Sequence, residues 1–334
     1  MIIKCPDQLP QKKDSWYVFL AGPIQGAPEW QNEAPKLISH ANCTFLSPRR
    51  ESYEGFNWEE QVAWETIGLK ISDVILFWIP EAIEKIEGRD YAQTTRTEFG
   101  EYLALGKKVI LGIHQDFPGR RYLATKAAQY GVKEVHTSLE ECIKELEEFM
   151  SQMRSRENKI WFTSDTHFGS ERTLELSRRP WKSVKDMDWG LIQKWNDKVK
   201  PGDKVYHLGD FGELWPLQYL NGDITLILGN YEKKADEKYI NELLTDPRIK
   251  VESSDEVNEF FLSHEPTIGL KKMRAESDKD WLLFGHIHGR QKVKKFGIDV
   301  GVDANNYEPI SIDDVRFYIN AIDKGYYDED VWCQ

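Results

Sequence analysis

Side chains that can bind metal ions follow five apolar runs in the second half of the chain. They are carboxylates, imidazoles and one amide, most of them next to a glycine: Asp165, His167, Asp210, Asn230, His264, His286 and His288. A mixed set of nitrogen and oxygen donors suits Mn, Fe, Zn or Ni better than Mg or Ca, which prefer oxygen ligands. The residue types therefore predict a transition-metal site.

The apolar runs are the elements that must position these ligands. Each run is short, is rich in residues that favour β-strands, and ends where the polar residues begin. The runs open at Lys159, Asp203, Asp223, Glu259 and Asp280. We therefore predict five strands whose ends converge on one site.

The motifs and their order resemble the calcineurin-like metallophosphoesterase superfamily. In chain order they are Asp-x-His at 165–167, Gly-Asp at 209–210, Gly-Asn at 229–230, Ser-His-x-Pro at 263–266 and Gly-His-x-His at 285–288. The similarity covers residues 158–318 and implies an α/β/β/α sandwich, with two mixed sheets flanked by helices. The implied activity is hydrolysis of a phosphate ester.

The resemblance also implies the ligands of two divalent transition-metal ions. One ion would be held by Asp165, His167, Asp210 and His288. The other would be held by Asp210, Asn230, His264 and His286. Asp210 would bridge the two ions, for which Mn is favoured and Fe, Zn or Ni are alternatives.

One position departs from the superfamily pattern. Most members have Gly-Asn-His, whose histidine helps to protonate the leaving group, but this chain has Tyr231. A phenol donates a hydrogen bond but is a poor proton shuttle at neutral pH. We therefore expect Tyr231 to favour diesters or good leaving groups. Arg290, just beyond Gly-His-x-His, is a candidate phosphate contact.

The first half alternates fully apolar strands with helical segments, a pattern typical of a parallel α/β sheet. In such sheets the site lies beyond the carboxyl ends of the strands. That rule places Gly22 and Pro23, the segment 48–50, and the residues after Ile79 around one crevice.

Residues 14–115 resemble the nucleoside 2-deoxyribosyltransferase-like family. The similar segments are Phe19 to Ile24, Ser72 to Ile79 and Thr95 to Glu101. The resemblance implies a Rossmann-like domain in which Glu98 acts at the anomeric carbon of a sugar. A carboxylate there can trap or stabilise an oxocarbenium-like centre. Glu65 is the first candidate to hold the nucleobase.

The sequence says less about the substrate of the first domain than about its fold. The family has an aspartate shortly before the nucleophile, for which the nearest candidate in this chain is Asp90, at an uncertain offset. Arg96, with Arg49 and Arg50, is expected to bind a phosphate, which favours a nucleotide over a nucleoside. The alternative is that Glu98 is a solvated helix carboxylate and Arg96 its surface partner.

The bulk properties limit the classes of protein. A chain of 334 residues predicts two domains, which we place at 1–155 and 156–334. The net charge of −12 argues against a general nucleic-acid-coating protein. No apolar run approaches the length of a membrane span, and the four scattered cysteines are typical of a reducing, cytoplasmic setting.

Two hypotheses for the whole chain follow. The first is a bifunctional nucleotide-processing hydrolase, with a two-metal phosphoesterase joined to a domain that cleaves or transfers at an N-glycosidic bond. The second is a phosphodiesterase regulated by a nucleotide-binding domain without catalysis. The resemblance to the transferases also implies a homo-oligomer.

Overall fold

A computed structural model describes residues 1–10, 15–38 and 43–325, apart from the side chain of Arg154. The chain divides into two compact units, Met1–Glu157 and Asn158–Gln334. The boundary predicted from the sequence, between residues 155 and 156, lies close to this division. Cys333 lies outside the described residues, and the other three cysteines are buried free thiols.

The first unit is built on one six-stranded sheet in which every pairing is parallel. Its strands, in spatial order, are β1 (Ile2–Lys4), β3 (Cys43–Ser47), β2 (Trp16–Ala21), β4 (Val74–Ile79), β5 (Lys108–Ile113) and β6 (Val135–His136). Its helices are α1 (Trp30–Leu37), α2 (Trp58–Ile71), α3 (Gln93–Ala104), α4 (Arg120–Gln129) and α5 (Leu139–Ser155). The predicted parallel sheet is confirmed.

Helices cover both faces of this sheet, which is why its central strands are apolar throughout. Val18 and Leu20 of β2 belong to a core shared with α1 and α5. Phe19, pointing the other way, has its ring centroid 6.1 Å from that of Trp64 on α2. The strand order reverses between β2 and β4, and a crevice therefore opens beyond their carboxyl ends.

The second unit contains two mixed five-stranded sheets. The first is, in spatial order, β10 (Ile249–Glu252), β9 (Asp223–Ile227), β8 (Lys204–His207), β7 (Ile160–Thr163) and β16 (Ile310–Ser311). The second is β11 (Asp255–Val257), β12 (Phe260–Leu262), β13 (Trp281–Phe284), β15 (Gly297–Asp299) and β14 (Val293–Lys294). The helices are α6 (Glu171–Leu176), α7 (Val184–Lys198), α8 (Glu237–Leu243), α9 (Pro266–Glu276) and α10 (Ile312–Asp323).

The two sheets share one apolar core. Phe162 of the first sheet and Phe260 of the second have ring centroids 5.9 Å apart, with Leu283 and Ile298 in the same cluster. Strands β7, β8 and β9 run parallel, as do β12 and β13, so each group ends at one edge of its sheet. Those edges carry the predicted ligands. None of the described helices is long and apolar enough to cross a membrane.

Candidate functional site

The loops after β7 and β8 are joined by backbone hydrogen bonds. The N–H of Asp165 donates to the carbonyl of Gly209 at 3.0 Å, and the N–H of His167 donates to the carbonyl of Asp210 at 3.0 Å. These bonds hold Asp165, His167 and Asp210 side by side, each two to four residues beyond its strand.

Five of the seven predicted ligands have left-handed backbone conformations. Their φ angles are 58° for Asp165, 48° for His167, 57° for Asp210, 73° for His286 and 49° for His288. Such a conformation costs a non-glycine residue roughly 1–3 kcal/mol, and it persists where the surrounding structure enforces it. The concentration of this strain marks the strand ends as a functional site.

Asp210 lies at the centre of the predicted ligands. Its Oδ2 is 3.5 Å from Nε2 of His167 and 3.5 Å from Nε2 of His264. The resemblance assigns these two histidines to different ions. A carboxylate placed equally far from both is therefore suited to bridge two ions.

The other ligands adjoin this carboxylate. Nδ1 of His286 lies 3.3 Å from Nε2 of His264 and 3.0 Å from Nδ2 of Asn230. The donor atoms of Asp165, His167 and His288 lie within 4.8 Å of one another, as do those of Asp165, Asp210 and His264. All seven predicted ligands thus meet at one site.

Two buried atoms of this site indicate that it is built to hold cations. Among the described residues, Oδ1 of Asp165 and Nε2 of His167 are buried without a hydrogen-bond partner, 4.0 Å apart. An unsatisfied buried polar atom costs about 1–3 kcal/mol. A divalent ion would satisfy both atoms, and the mixed nitrogen and oxygen donors fit Mn, Fe, Zn or Ni.

Hydrogen bonds behind the ligands fix which ring nitrogen faces the site. Nδ1 of His264 donates to the carbonyl oxygen of Leu208 at 2.7 Å, which leaves Nε2 as the acceptor beside Asp210. Nδ1 of His288 lies 2.8 Å from Oδ2 of Asp303, which likewise leaves its Nε2 for the site. These tautomers follow from the hydrogen-bond network.

A buried ion pair supports His288 and the Asp165 loop together. Arg179 donates two hydrogen bonds to the carboxylate of Asp303, at 2.9 and 3.0 Å. The same guanidinium donates to the carbonyl oxygens of Thr166 at 2.7 Å and Asp165 at 2.6 Å. The sequence alone gives no sign that Asp303 pairs with Arg179.

A second carboxylate missed by sequence reasoning holds the Asp210 loop. Glu232 is buried, and its carboxylate accepts hydrogen bonds from the N–H groups of Asp210 at 3.0 Å, Phe211 at 2.8 Å and Gly229 at 2.8 Å. It therefore fixes the strand ends of β8 and β9 against each other.

The pKa shifts favour the protonation states that bind metal. Burial lowers the pKa of His167 to about 4, so its ring is neutral at neutral pH. Burial alone would raise the pKa of Asp210, but the neighbouring imidazole of His264 and the hydrogen bond from the N–H of Tyr231 lower it overall. Burial raises the pKa of Asp165 to about 6. At neutral pH the two carboxylates are ionised and His167 is an acceptor, as ligands must be.

Tyr231 and Arg290 lie at the margin of the site. The N–H of Tyr231 donates to Oδ1 of Asp210 at 2.7 Å, while its side chain is 45% exposed. Its ring centroid is 5.7 Å from that of Tyr239. Arg290 is exposed, two residues after His288. His207 instead lies inside the core, bonded to Thr166 Oγ1 at 2.9 Å.

The first unit has a separate cavity of about 500 Å³ beyond the strand ends of β2 and β4. Four predicted site residues line it: Gly22, Pro23, Glu65 and Glu98. Gly22 is required there because a Cβ would overlap the carbonyl oxygen of Trp78 and the indole ring of Trp30. The structure therefore brings Glu65 and Glu98 to one cavity at the point where the strand order reverses.

Glu98 is not a solvated helix carboxylate. It is half-buried, and burial, with the negative charges of Glu65 and Glu101, raises its pKa to about 8. Burial also raises the pKa of Glu65, whose Oε1 accepts a hydrogen bond from Gln61 Nε2 at 2.8 Å. Two carboxyl groups with raised pKa values in one cavity are typical of a catalytic site.

The three arginines expected to bind phosphate do not line this cavity. Arg49 donates to Gln31 and to the carbonyl oxygens of Ile24 and Pro28. Arg50 donates to Gln61 at 2.7 Å and pairs with Glu60 at 2.7 Å. The guanidinium of Arg96 is 4.0 Å from the carboxylate of Asp90. The expectation for Arg49 and Arg50 is therefore corrected, because their side chains bind protein groups, whereas a phosphate contact by the exposed Arg96 stays a prediction.

Two family models match the chain. The model described as nucleoside 2-deoxyribosyltransferase like matches residues 15–117. The model described as calcineurin-like phosphoesterase superfamily domain matches residues 159–300. The chain therefore carries a nucleoside 2-deoxyribosyltransferase-like domain followed by a calcineurin-like phosphoesterase domain, a family that uses divalent metal ions.

Similar proteins match half of this chain. An uncharacterized protein of Methanocaldococcus jannaschii is 29% identical over 184 residues, covering 50% of this chain and 93% of that protein. The gene 66 protein of Mycobacterium phage D29 is 29% identical over 202 residues, covering 50% of this chain and 99% of that protein. A solved protein of unknown function from Aquifex aeolicus is 22% identical over 48% of this chain and 100% of its own; at a TM-score of 0.39, nothing follows from that match.

The hydrogen bond between Asp303 and His288 generates a prediction about metal affinity. Asp303→Asn should weaken Mn²⁺ binding by roughly 10- to 100-fold, because the amide no longer orients His288 as a carboxylate does. Isothermal titration calorimetry of the metal-depleted protein measures this, with circular dichroism verifying the fold. Asp313→Asn, an exposed change on α10, is the control. Equal Mn²⁺ affinity in all three proteins would contradict the assigned role.

The raised pKa of Glu98 generates a prediction about stability. Its folded pKa of about 8 lies above the ordinary value of 4.5, so ionisation costs more in the folded state. The first unit should therefore lose stability as the pH rises between these values. Glu98→Gln should slow hydrogen exchange of this unit at pH 8.5 and change it little at pH about 5. Exposed Glu134→Gln, whose charge does not act on Glu98, is the control; an equal effect there at pH 8.5 would refute the argument.

Proposed function

We propose that this chain is a two-domain nucleotide-processing hydrolase. In this proposal the second domain hydrolyses a phosphodiester with two metal ions, and the first cleaves an N-glycosidic bond. The observation that supports the phosphoesterase site best is the position of Asp210, equally far from His167 and His264 and next to unsatisfied buried donor atoms.

The proposed ligand sets use the seven side chains predicted from the sequence. One ion takes Asp165, His167, Asp210 and His288. The other takes Asp210, Asn230, His264 and His286. When bound, such a pair of ions supplies a nucleophilic water near neutral pH and neutralises charge on the phosphate group. Mn is the favoured metal.

The chain's own residues prepare this reaction. Leu208 and Asp303 hold the rings of His264 and His288 with Nε2 facing the site. Glu232 holds the backbone of Asp210, so the bridging carboxylate needs little rearrangement when ions bind. Arg290, exposed beyond the ligands, is a candidate contact for the phosphate.

Tyr231 is the basis for the proposed preference among phosphate esters. It stands where most of the superfamily has a histidine, and its exposed phenol can donate a hydrogen bond to a phosphate oxygen. A phenol gives up its proton less readily than an imidazolium does, so poor leaving groups receive little help. We therefore favour diesters, and monoesters with good leaving groups, as substrates.

The phosphodiesterase proposal predicts a loss of activity at the bridging position. With Mn²⁺, the wild type should hydrolyse bis(p-nitrophenyl) phosphate faster than p-nitrophenyl phosphate. Asp210→Asn should lower kcat/KM for the diester by at least about 10³-fold, since one bridging charge serves both ions. The exposed control Asp223→Asn should keep wild-type activity. Diester hydrolysis that persists in Asp210→Asn would exclude this site.

The first domain is proposed to act on the glycosidic bond through Glu98. The Glu98 carboxylate attacks the anomeric carbon, the bond from carbon to base nitrogen breaks, and the base leaves with the electron pair. Glu65 is the candidate to hold the base, and the departing base takes its proton from water. Water then hydrolyses the glycosyl ester and releases the sugar. The observation that favours this function is that Glu65 and Glu98 line one cavity.

Base release tests this second activity. Glu98→Gln should reduce release of free base from 2′-deoxynucleosides or their 5′-monophosphates by at least about 10³-fold. Because the ionised carboxylate is the nucleophile, wild-type kcat/KM should rise with pH up to about 8. Chromatography of the released base measures both. Tight nucleotide binding with no base release at any pH would instead support the regulatory alternative.

A further inference from the structure

Two exposed cations stand at the mouth of the cavity that contains Glu98. Lys85 and Arg89 lie on the segment between β4 and α3, and both line the cavity. Glu65 and Glu98 are half-buried, whereas these cations are exposed. The exposed acids Glu84 and Asp90 also line the cavity, so its opening carries charges of both signs while its interior is acidic.

The guanidinium of Arg89 is held in place by neutral groups. One terminal nitrogen donates to Oε1 of Gln25 at 2.7 Å, and the other lies 3.3 Å from Oγ1 of Thr94. Gln25 and Thr94 also line the cavity. Arg89 is thus positioned at the mouth, with further N–H donors left over for a ligand.

The positive charges of Lys85 and Arg89 are not neutralised by ion pairs among the described residues. Within the described parts of the chain, no ion pair includes Lys85 or Arg89, whereas Arg50 pairs with Glu60. Asp90, an acid at the same mouth, lies 4.0 Å from Arg96, which offsets its charge. Arg96 therefore supports anion binding indirectly, by neutralising Asp90.

A ligand that matches this cavity carries a dianion at one end and a glycosidic carbon at the other. Arginine donates paired, charge-assisted hydrogen bonds to phosphate oxygens, and lysine adds a point charge. Tyr53, Phe56 and Trp58 are exposed aromatic residues of the lining and offer faces on which a base can stack. A cavity of about 500 Å³ is large enough for a mononucleotide.

We propose that the first domain binds a nucleoside 5′-monophosphate, with the phosphate on Lys85 and Arg89 and the sugar at Glu98. This substrate class deepens the proposed glycosidic function, and only the placement of the sugar rests on it. The phosphate site rests on the placement of Lys85 and Arg89 in the lining and on the hydrogen bonds that hold the Arg89 guanidinium there.

Binding of sugars with and without phosphate tests the phosphate site. The full chain carrying Asp210→Asn, which prevents phosphate hydrolysis in our account, is titrated calorimetrically with 2-deoxyribose 5-phosphate and with 2-deoxyribose. The phosphate should improve affinity at least about tenfold. Lys85→Met with Arg89→Met should abolish that preference. Arg121→Met with Lys126→Met, which removes two exposed charges from α4 outside the lining, should preserve it.

The readout is the ratio of the affinities for the two sugars. If the double substitution merely displaced the segment between β4 and α3, binding of both sugars would weaken equally and this ratio would not change. If the double variant fails to fold, Lys85→Met alone is used in its place. It should reduce the preference for 2-deoxyribose 5-phosphate over 2-deoxyribose. Equal affinity for the two sugars, no binding of either, or a preference that survives Lys85→Met with Arg89→Met would overturn the phosphate site.

Base release separates the failure of this inference from failure of the Glu98 reaction. Equal release from 2′-deoxynucleosides and their 5′-monophosphates would retain Glu98 and reject the phosphate site. A phosphate preference in binding that depends on Lys85 and Arg89, with no base released from any substrate, would retain the phosphate site and reject the reaction.

Discussion

The position of the Asp210 carboxylate is the constraint on which the second domain depends. The carboxylate lies 3.5 Å from the histidines of both proposed ligand sets, and such a position must be enforced by the surrounding chain. Glu232 holds the backbone N–H of Asp210, and the N–H of Tyr231 donates to the Asp210 carboxylate itself. Parallel strands bring the neighbouring loops to the same edge, where the ligands accept left-handed conformations that they would not adopt in a free loop.

Close approach of the second sheet completes the same arrangement. A Cβ at Gly285 would overlap Ser164 Oγ and Asp165 Oδ2, so only glycine lets the Gly-His-x-His segment reach the Asp165 loop. The N–H of His286 then donates to Oδ2 of Asp165 at 2.9 Å. The apolar core between the sheets and the polar site at their edge therefore depend on each other.

The sequence predicted the ligand-bearing strands and both domain families, because each apolar run ends at a glycine or a polar motif. It did not predict the hydrogen bonds and ion pairs that hold the ligands in place. Arg179 and Asp303 are 124 positions apart, and no spacing rule connects residues at that distance. Edge strands such as β6 and β14 have two residues each, too few to form a pattern. The phosphate contacts expected at Arg49 and Arg50 failed because a strand-end position does not determine where a long side chain points.

The central claim is that Asp210 bridges two metal ions. Crystals of the full chain grown with MnCl₂ and measured at the manganese absorption edge test it by anomalous scattering. We expect two strong peaks, one on each side of Asp210, the first beside Asp165, His167 and His288 and the second beside Asn230, His264 and His286. A single peak, or two peaks that do not share Asp210, would contradict it.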